Sequence, residues 1–245
     1  MAFKKIVVAG GGVLGSQIAL QTAYWGYDVT IWLRSEGSIG RCQPKLDKFE
    51  QQYLEAIEGM KGAESANDPA WCAGLADFDT FDADECVARA RKAHDDMKLE
   101  LDLAKAVADA DLVIESMAEV ADQKADFFKK VAPLMPEKTI IVTNSSSLLP
   151  SQFTKDTGRP DRYLALHFAN SIWKHNVTEV MVQSETSDAS FQAVLEFARG
   201  IHMQPLPVKK EKAGYLLNSQ LVPWMLSGLD LLANGISDPE SIDKA

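Results

Sequence analysis

The chain has 245 residues, of which 46% are hydrophobic and 24% charged. That length fits one large domain or a domain and a half, and the composition excludes a disordered or fibrous chain. Lys plus Arg number 25 against 35 Asp plus Glu, a formal net charge of -10, which argues against nucleic acid or an anionic membrane as partner.

The chain opens Met-Ala-Phe-Lys-Lys and runs into Ile6-Val7-Val8-Ala9 before Gly10 stops it. This apolar run is too short for the core of a signal peptide, and a buried strand over Lys5 to Ala9 explains it. Val13 to Trp25 reads as a helix and Val29 to Leu33 as a second strand. Such alternation predicts crossover units and a doubly wound parallel sheet. From about residue 35 to 109 the pattern turns mostly helical and charged. Gly59 to Asp84, rich in Asp and carrying Asn-Asp-Pro, reads as a surface insertion between helices.

Strands resume at Leu112 to Glu115, with an amphipathic helix over Asp122 to Val131 and further strands at 139–143, 163–168 and 179–182. Asp188 to Arg199 reads as a helix and Met203 to Val208 as a last strand. Lys209 to Gly214, polar and Gly-terminated, marks a boundary. A long helix from Tyr215 to Asn234 then begins a second domain. It contains Asn218, Gln220, Pro223 and Asp230, so it is no membrane span, which needs ~20 nearly uninterrupted apolar residues. Cys42, Cys72 and Cys86 are too few and too far apart for a disulfide framework or a metal site, and reduced thiols in the cytoplasm are the plain reading.

Gly10-Gly11-Gly12-Val13-Leu14-Gly15 fits G-x-G-x-x-G directly after a strand and at the opening of a helix. The first glycine permits the turn, the second lets backbone approach a pyrophosphate, and the third lets helix and strand pack closely. The phosphates would meet free N–H groups at the helix N-terminus. A nicotinamide dinucleotide is the predicted cofactor. At the end of the second strand, Leu33 stands where an NAD site carries an acidic residue for the ribose hydroxyls. Arg34 and Ser35 could hold a 2′-phosphate there, which favours NADP(H). The alternative is a solvated Arg34 capping the adenine edge in an NAD enzyme.

Three later runs lie at predicted strand ends, the edge where open α/β sheets bind ligands: Thr143-Asn144-Ser145-Ser146-Ser147-Leu148, Leu166-His167-Phe168-Ala169-Asn170 and Thr178-Glu179-Val180. Hydride transfer at a secondary alcohol needs a group that moves the hydroxyl proton, and histidine suits neutral pH. A carboxylate beside it fixes the tautomer. Taken singly, each residue has an ordinary structural explanation: a serine turn, a strand-end histidine, a surface carboxylate. His94 and His202 read as solvated, and His175 as unassigned.

Together with Gly214-Tyr215-Leu216-Leu217-Asn218, these motifs make the chain resemble the 3-hydroxyacyl-CoA dehydrogenase family, over nearly the whole length outside the insertion. The resemblance implies a Rossmann-type sheet followed by an all-α domain that mediates dimerisation, and a setting in fatty acid metabolism. It implies His167 as general acid/base, Glu179 as its orienting partner, and Ser146 and Asn218 at the substrate's reacting oxygen. It also implies Glu119, Lys124, Ser146 and Asn170 near the nicotinamide ribose. The family usually continues its histidine with Phe-Asn-Pro, whereas here Phe168-Ala169-Asn170-Ser171-Ile172-Trp173 follows. This variant looks like the diketoreductase branch, which reduces β-keto esters, and it implies Trp173 as a substrate-pocket residue, with core packing as the competing role. Lys45, Lys48 and Lys61 are available for a CoA moiety.

The expected reaction is hydride transfer between a nicotinamide and C3 of a 3-hydroxyacyl- or 3-ketoacyl-CoA. One alternative is reduction of a β-keto ester without CoA; another is a crystallin-like structural protein that binds the cofactor without turnover. The expected division is a nucleotide domain over 1–208 and the start of a helical domain over 209–245. Ser237-Asp238-Pro239-Glu240 reads as a helix start only a few residues before Ala245. A C-terminally truncated protein is therefore expected, with Leu221, Trp224 and Leu231 exposed on the long helix.

Overall fold

The computed structural model describes residues 3–245. The first strand, β1 (Lys5–Ala9), runs through the glycine loop into α1 (Val13–Tyr24) and returns as β2 (Asp28–Trp32). The long helix α2 (Glu36–Met60) follows, then α3 (Ala83–Asp95), β3 (Lys98–Glu100), α4 (Leu103–Val107) and β4 (Leu112–Glu115). The second half comprises α5 (Ala121–Val131), β5 (Ile140–Thr143), β6 (Tyr163–Phe168), β7 (Val177–Met181), α6 (Asp188–Gly200) and β8 (Gln204–Val208). Two helices close the chain, α7 (Leu217–Ala233) and α8 (Pro239–Lys244).

The eight strands form one sheet in the order β3-β2-β1-β4-β5-β6-β7-β8. Pairing is parallel throughout except between β6 and β7. Strand order reverses at β1, where the chain crosses from one half of the sheet to the other, and this opens a crevice above the carboxyl ends of β1 and β4.

Alternation along each strand feeds two cores. Ile6, Val8, Ile31, Ile114, Val142 and Leu166 face α1, α2, α3 and α6. Val7, Ala9, Val113 and Ile141 face α4 and α5, where Phe127 and Phe128 fill the layer. Strands buried on both faces read as continuous apolar runs, which is why β1, β4 and β5 were legible. Helix α2 spaces Cys42, Leu46, Phe49, Tyr53, Ile57 and Met60 on one buried stripe.

The region 35–109 departs from expectation in two ways. Within this mostly helical region one strand that was not expected, β3, joins the sheet beside β2. Three residues, two of them charged, suffice at an edge with a neighbour on one side only, so hydrophobic periodicity gives no signal there. The stretch from Gly59 to Asp84 is also more than a surface insertion. Trp71, Cys72, Leu75 and Ala76 are buried in the larger core. Gly74 donates its N–H to the Trp173 carbonyl at 3.0 Å, and a Cβ there would lie 2.7 Å from that oxygen.

Helix α8 starts as its sequence predicts, with Asp238 accepting from the Ser241 N–H at 2.8 Å. Helix α7 buries none of its residues, and Leu221, Trp224 and Leu231 are 37%, 74% and 42% exposed. No helix among the described residues is long and apolar enough to cross a membrane.

Candidate active site

The glycine loop shapes one end of a cavity of about 560 Å³. Gly10 has φ +120°, and a Cβ on it would lie 2.5 Å from the Ser116 carbonyl oxygen. A Cβ on Gly15 would come within 2.0 Å of the Gly10 carbonyl, so helix and strand can approach this closely only with glycine there. Gly12 faces open space. It is the N-cap of α1 with no side-chain cap, which leaves first-turn N–H groups free for an anion. This cradle fits a dinucleotide pyrophosphate. Val13, Leu14, Leu33, Arg34, Glu119, Asn144, Ser146 and Ser147 line the same cavity. Leu33 itself is 3% exposed and packs in the core, and its aliphatic side chain offers a ribose no acceptor.

The catalytic candidates meet at the carboxyl edge of β6. Antiparallel pairing sets His167 on β6 directly opposite Glu179 on β7. The imidazole Nδ1 lies 2.9 Å from Glu179 Oε2, and Nε2 lies 3.0 Å from Ser146 Oγ. Glu179 Oε1 accepts two further N–H bonds, from Leu216 at 2.7 Å and Leu217 at 2.9 Å. Burial pushes the Glu179 carboxyl up, but the His167 bond and the two backbone donors outweigh it and hold its pKa below the ordinary value. An ionised carboxylate only accepts, so His167 donates from Nδ1, and in its neutral form the imidazole presents a lone pair on Nε2 to Ser146. His167 and Glu179 are 5% and 2% exposed, while Ser146 is open to the cavity.

Several partners escaped the sequence reading. Tyr215 stacks on His167, with ring centroids 4.6 Å apart and planes inclined by 20°. Its hydroxyl donates to the Ser145 carbonyl at 2.7 Å. Its φ of +50° is rare for a bulky residue and is held by those contacts. The Gly-Tyr-Leu-Leu-Asn run marked the segment, but a stack between residues 48 apart in sequence leaves no local signal. Asn144 ties β4, β5 and β6 together, accepting from the Phe168 N–H at 2.9 Å and donating to Ser116 Oγ at 3.3 Å.

Beneath the cavity, Lys124 is fully buried and donates to Glu115 Oε1 at 2.7 Å. The same oxygen accepts from the Met117 N–H, and Glu115 Oε2 accepts from Thr143 Oγ1. Glu115 sits in an apolar strand, where a carboxylate reads as an exception until its partner is known. Lys124 also lies 3.3 Å from Glu119. Burial raises the Glu119 pKa, but donors from Ser145 and Ser147 and the Lys124 charge overcome it and set it at about 2.

Other candidates sit differently from expectation. Lys124 stands behind Glu119 and out of the cavity, so its link to a ribose is indirect. Trp173 is 8% exposed and packs on Phe49 and Tyr53, with centroids 6.0 Å and 5.2 Å away, so core packing and not the substrate pocket accounts for it. Asn170 is exposed just beyond β6. Asn218 is half-buried in the first turn of α7, and among the described residues it makes no hydrogen bond to Ser146 or His167. His94 and His202 are only partly solvated. His94 is 20% exposed among Asp47, Glu50 and Asp95, and His202 stacks on Trp25 at 4.3 Å.

Residues 5–212 match the family described as 3-hydroxyacyl-CoA dehydrogenase, NAD binding domain. A 3-hydroxybutyryl-CoA dehydrogenase of Clostridioides difficile is 29% identical over 243 residues, covering 98% of this chain and 76% of that protein. The human mitochondrial hydroxyacyl-coenzyme A dehydrogenase is 28% identical over 242 residues, covering 99% of this chain and 70% of that one. A solved diketoreductase, described as acting on dicarbonyl compounds, is 41% identical with a TM-score of 0.82. That match covers 98% of this chain and 76% of the diketoreductase. The glycine cradle, the His–Glu pair and these likenesses agree: the chain belongs to the 3-hydroxyacyl-CoA dehydrogenase family and is an oxidoreductase with a Rossmann-type nicotinamide-binding domain.

Proposed function

We propose that the protein transfers a hydride reversibly between a nicotinamide on the glycine loop and C3 of a 3-hydroxyacyl-CoA or 3-ketoacyl-CoA. The observation that carries this reading is the Ser146–His167–Glu179 hydrogen-bonded row beside the cavity. A nicotinamide bound there supplies or accepts the hydride at its C4. In the oxidative direction His167 Nε2 takes the hydroxyl proton as the C3 carbonyl forms; in reduction the imidazolium returns it. Glu179 stabilises that imidazolium and keeps Nδ1 protonated. Ser146 Oγ, 3.0 Å from Nε2, marks where the substrate oxygen meets the imidazole. In this reading Asn218 polarises that oxygen from the first turn of α7. Gly10, Gly12, Val13, Leu14 and Gly15 hold the pyrophosphate. Glu119, Ser146 and Asn170 face the nicotinamide ribose, with Lys124 steadying Glu119.

The His167→Ala variant tests the assignment. Turnover should be lost while cofactor binding is kept; unchanged turnover overturns it.

A second reading, reduction of a β-keto ester without CoA, is favoured by the Ala169-Asn170-Ser171 run and by the 41% identity to the diketoreductase. Initial rates with acetoacetyl-CoA and with a β-keto ester decide between them, and turnover of neither supports the cofactor-binding structural protein. Arg34 in the cavity and the core position of Leu33 support NADP(H) over NAD(H). The same reading divides the chain into a nucleotide domain over 1–208 and a helical unit over 209–245. It also includes a homodimer and a cytoplasmic location, supported by the exposed apolar face of α7 and by the three unpaired thiols.

A further inference from the structure

The face of α2 that meets the glycine loop is basic. Ser38, Arg41, Cys42 and Lys45 are spaced i, i+3, i+4 and i+7, so they share that face. Cys42 is its buried centre: a Cβ on Gly11 would lie 2.5 Å from the Cys42 Sγ. Arg34, Ser38, Arg41 and Lys45 all line the cavity that the glycine loop opens.

Their contacts separate them by role. Arg41 Nη2 donates to Ser38 Oγ at 2.9 Å, and Ser38 Oγ lies 3.1 Å from Ser35 Oγ. Arg34 Nη1 donates to Gln123 Oε1 at 3.2 Å. Each guanidinium has further donors beyond these bonds. Lys45 Nζ instead turns back to the Arg41 carbonyl, which removes it from the group. Ser35 is the N-cap of α2, yet its side chain caps no backbone N–H. Among the described residues, the one carboxylate lining the cavity is Glu119, and it is engaged by Ser145, Ser147 and Lys124.

Two guanidinium groups line one cavity, and among the described residues neither is paired with a carboxylate, in a chain of net charge -10. Such an arrangement calls for an anion. The dinucleotide pyrophosphate belongs at the N-terminus of α1. The end of β2 is where an adenosine ribose presents its 2′-oxygen. The anion there is a phosphomonoester on that oxygen, which a forked guanidinium pair matches in charge and geometry.

We infer that Arg34 and Arg41, with the hydroxyls of Ser35 and Ser38, form a two-arginine clamp for the 2′-phosphate of an adenosine ribose. The inference rests on the nicotinamide-site reading above and adds Arg41 and Ser38 to it. Calorimetric titration with 2′-phospho-ADP-ribose and with ADP-ribose, at one fixed salt concentration, tests it without turnover. Wild type should bind the phosphorylated probe at least about tenfold more tightly, as charge-assisted hydrogen bonds require. Arg41→Ala should lose about ten- to a hundredfold on that probe and leave ADP-ribose within about twofold. Arg41→Lys should recover only part of the loss, because a lysine lacks the forked geometry. Equal wild-type affinity for the two probes, or an equal loss on both in Arg41→Ala, overturns the clamp while leaving the nucleotide site standing. Failure of wild type to bind either probe overturns the nucleotide reading and the clamp with it.

Discussion

Glu179→Gln is the sharpest perturbation of the candidate site, because it changes one atom and keeps the volume. Glu179 makes three hydrogen bonds between 2.7 and 2.9 Å, one to His167 and two to the start of α7. A glutamine can keep its Oε1 on the Leu216 and Leu217 N–H groups, so the fold should survive. Its amide nitrogen then faces His167 Nδ1, and an amide donates where the carboxylate accepted. The imidazole must move its proton to Nε2, and the lone pair that would take the substrate proton is gone. General acid–base groups contribute ~10²–10⁴ in rate, which is about 2.7–5.5 kcal/mol at ~1.36 kcal/mol per decade. A carboxylate-to-amide change beside a catalytic histidine has reached the upper end in serine proteases, ~10⁴. We therefore expect kcat to fall about a thousandfold, with cofactor affinity within about twofold. The assay is nicotinamide absorbance under saturating cofactor, alongside circular dichroism to verify folding. A folded variant whose kcat stays within about threefold of wild type would refute the tautomer argument.

Tyr215→Ala removes the stack on His167 and should lower kcat about tenfold or more and displace the pH profile of kcat/KM, while Tyr215→Phe, which keeps the ring, should recover most of that activity; an unmoved profile in a folded alanine variant would restrict Tyr215 to packing. Lys124→Met leaves Glu115 buried without its cation and should destabilise the fold by about 3–5 kcal/mol in urea unfolding, whereas Lys124→Met paired with Glu115→Gln should restore much of the loss; equal losses in both would contradict the ion-pair account. Stability should also depend on acid. Glu119 falls from an ordinary 4.5 to about 2 in the fold, so its contribution is fully present above its unfolded pKa and disappears as pH drops through the folded value. The urea midpoint should decline between about pH 4.5 and pH 2, less steeply in Glu119→Gln, and an identical decline in that variant would show that other carboxylates carry the effect.

The nucleotide half was legible because its signals are local. A strand buried on both faces, a glycine loop and a helix buried almost all round follow one another within the first 25 residues, and the short apolar run and the glycine spacing are each read locally. The glycine positions were readable for the same reason: Gly10 needs its positive φ, and Gly15 its missing Cβ, whatever the rest of the chain does. Helix α8 was announced by its Asp-Pro-Glu start, and Leu221, Trp224 and Leu231 are exposed on α7 as expected of them. The His167 and Glu179 candidates came from a family likeness, not from spacing.

Tertiary structure decided everything that depends on which strands and helices become neighbours. His167 and Glu179 are 12 residues apart in sequence, and only the antiparallel register of β6 and β7 turns them into a pair. The resemblance to the diketoreductase branch implied Trp173 as a pocket residue, with core packing as the competing role, and the packing of α2 against that loop draws it into the core. The Glu115–Lys124 pair joins a strand to the helix after it, and a charged residue in either reads as surface until burial is known. Edge strand β3 has too few residues to show a period, and it is recognised only by its partner β2. Arg41 lines the cavity at the glycine loop because Cys42 seats α2 on Gly11, a contact between residues 31 apart in sequence. Local sequence specifies backbone conformation through sterics and periodicity; the chemistry of the site arises from side-chain proximities that only the closed sheet and its packed helices create.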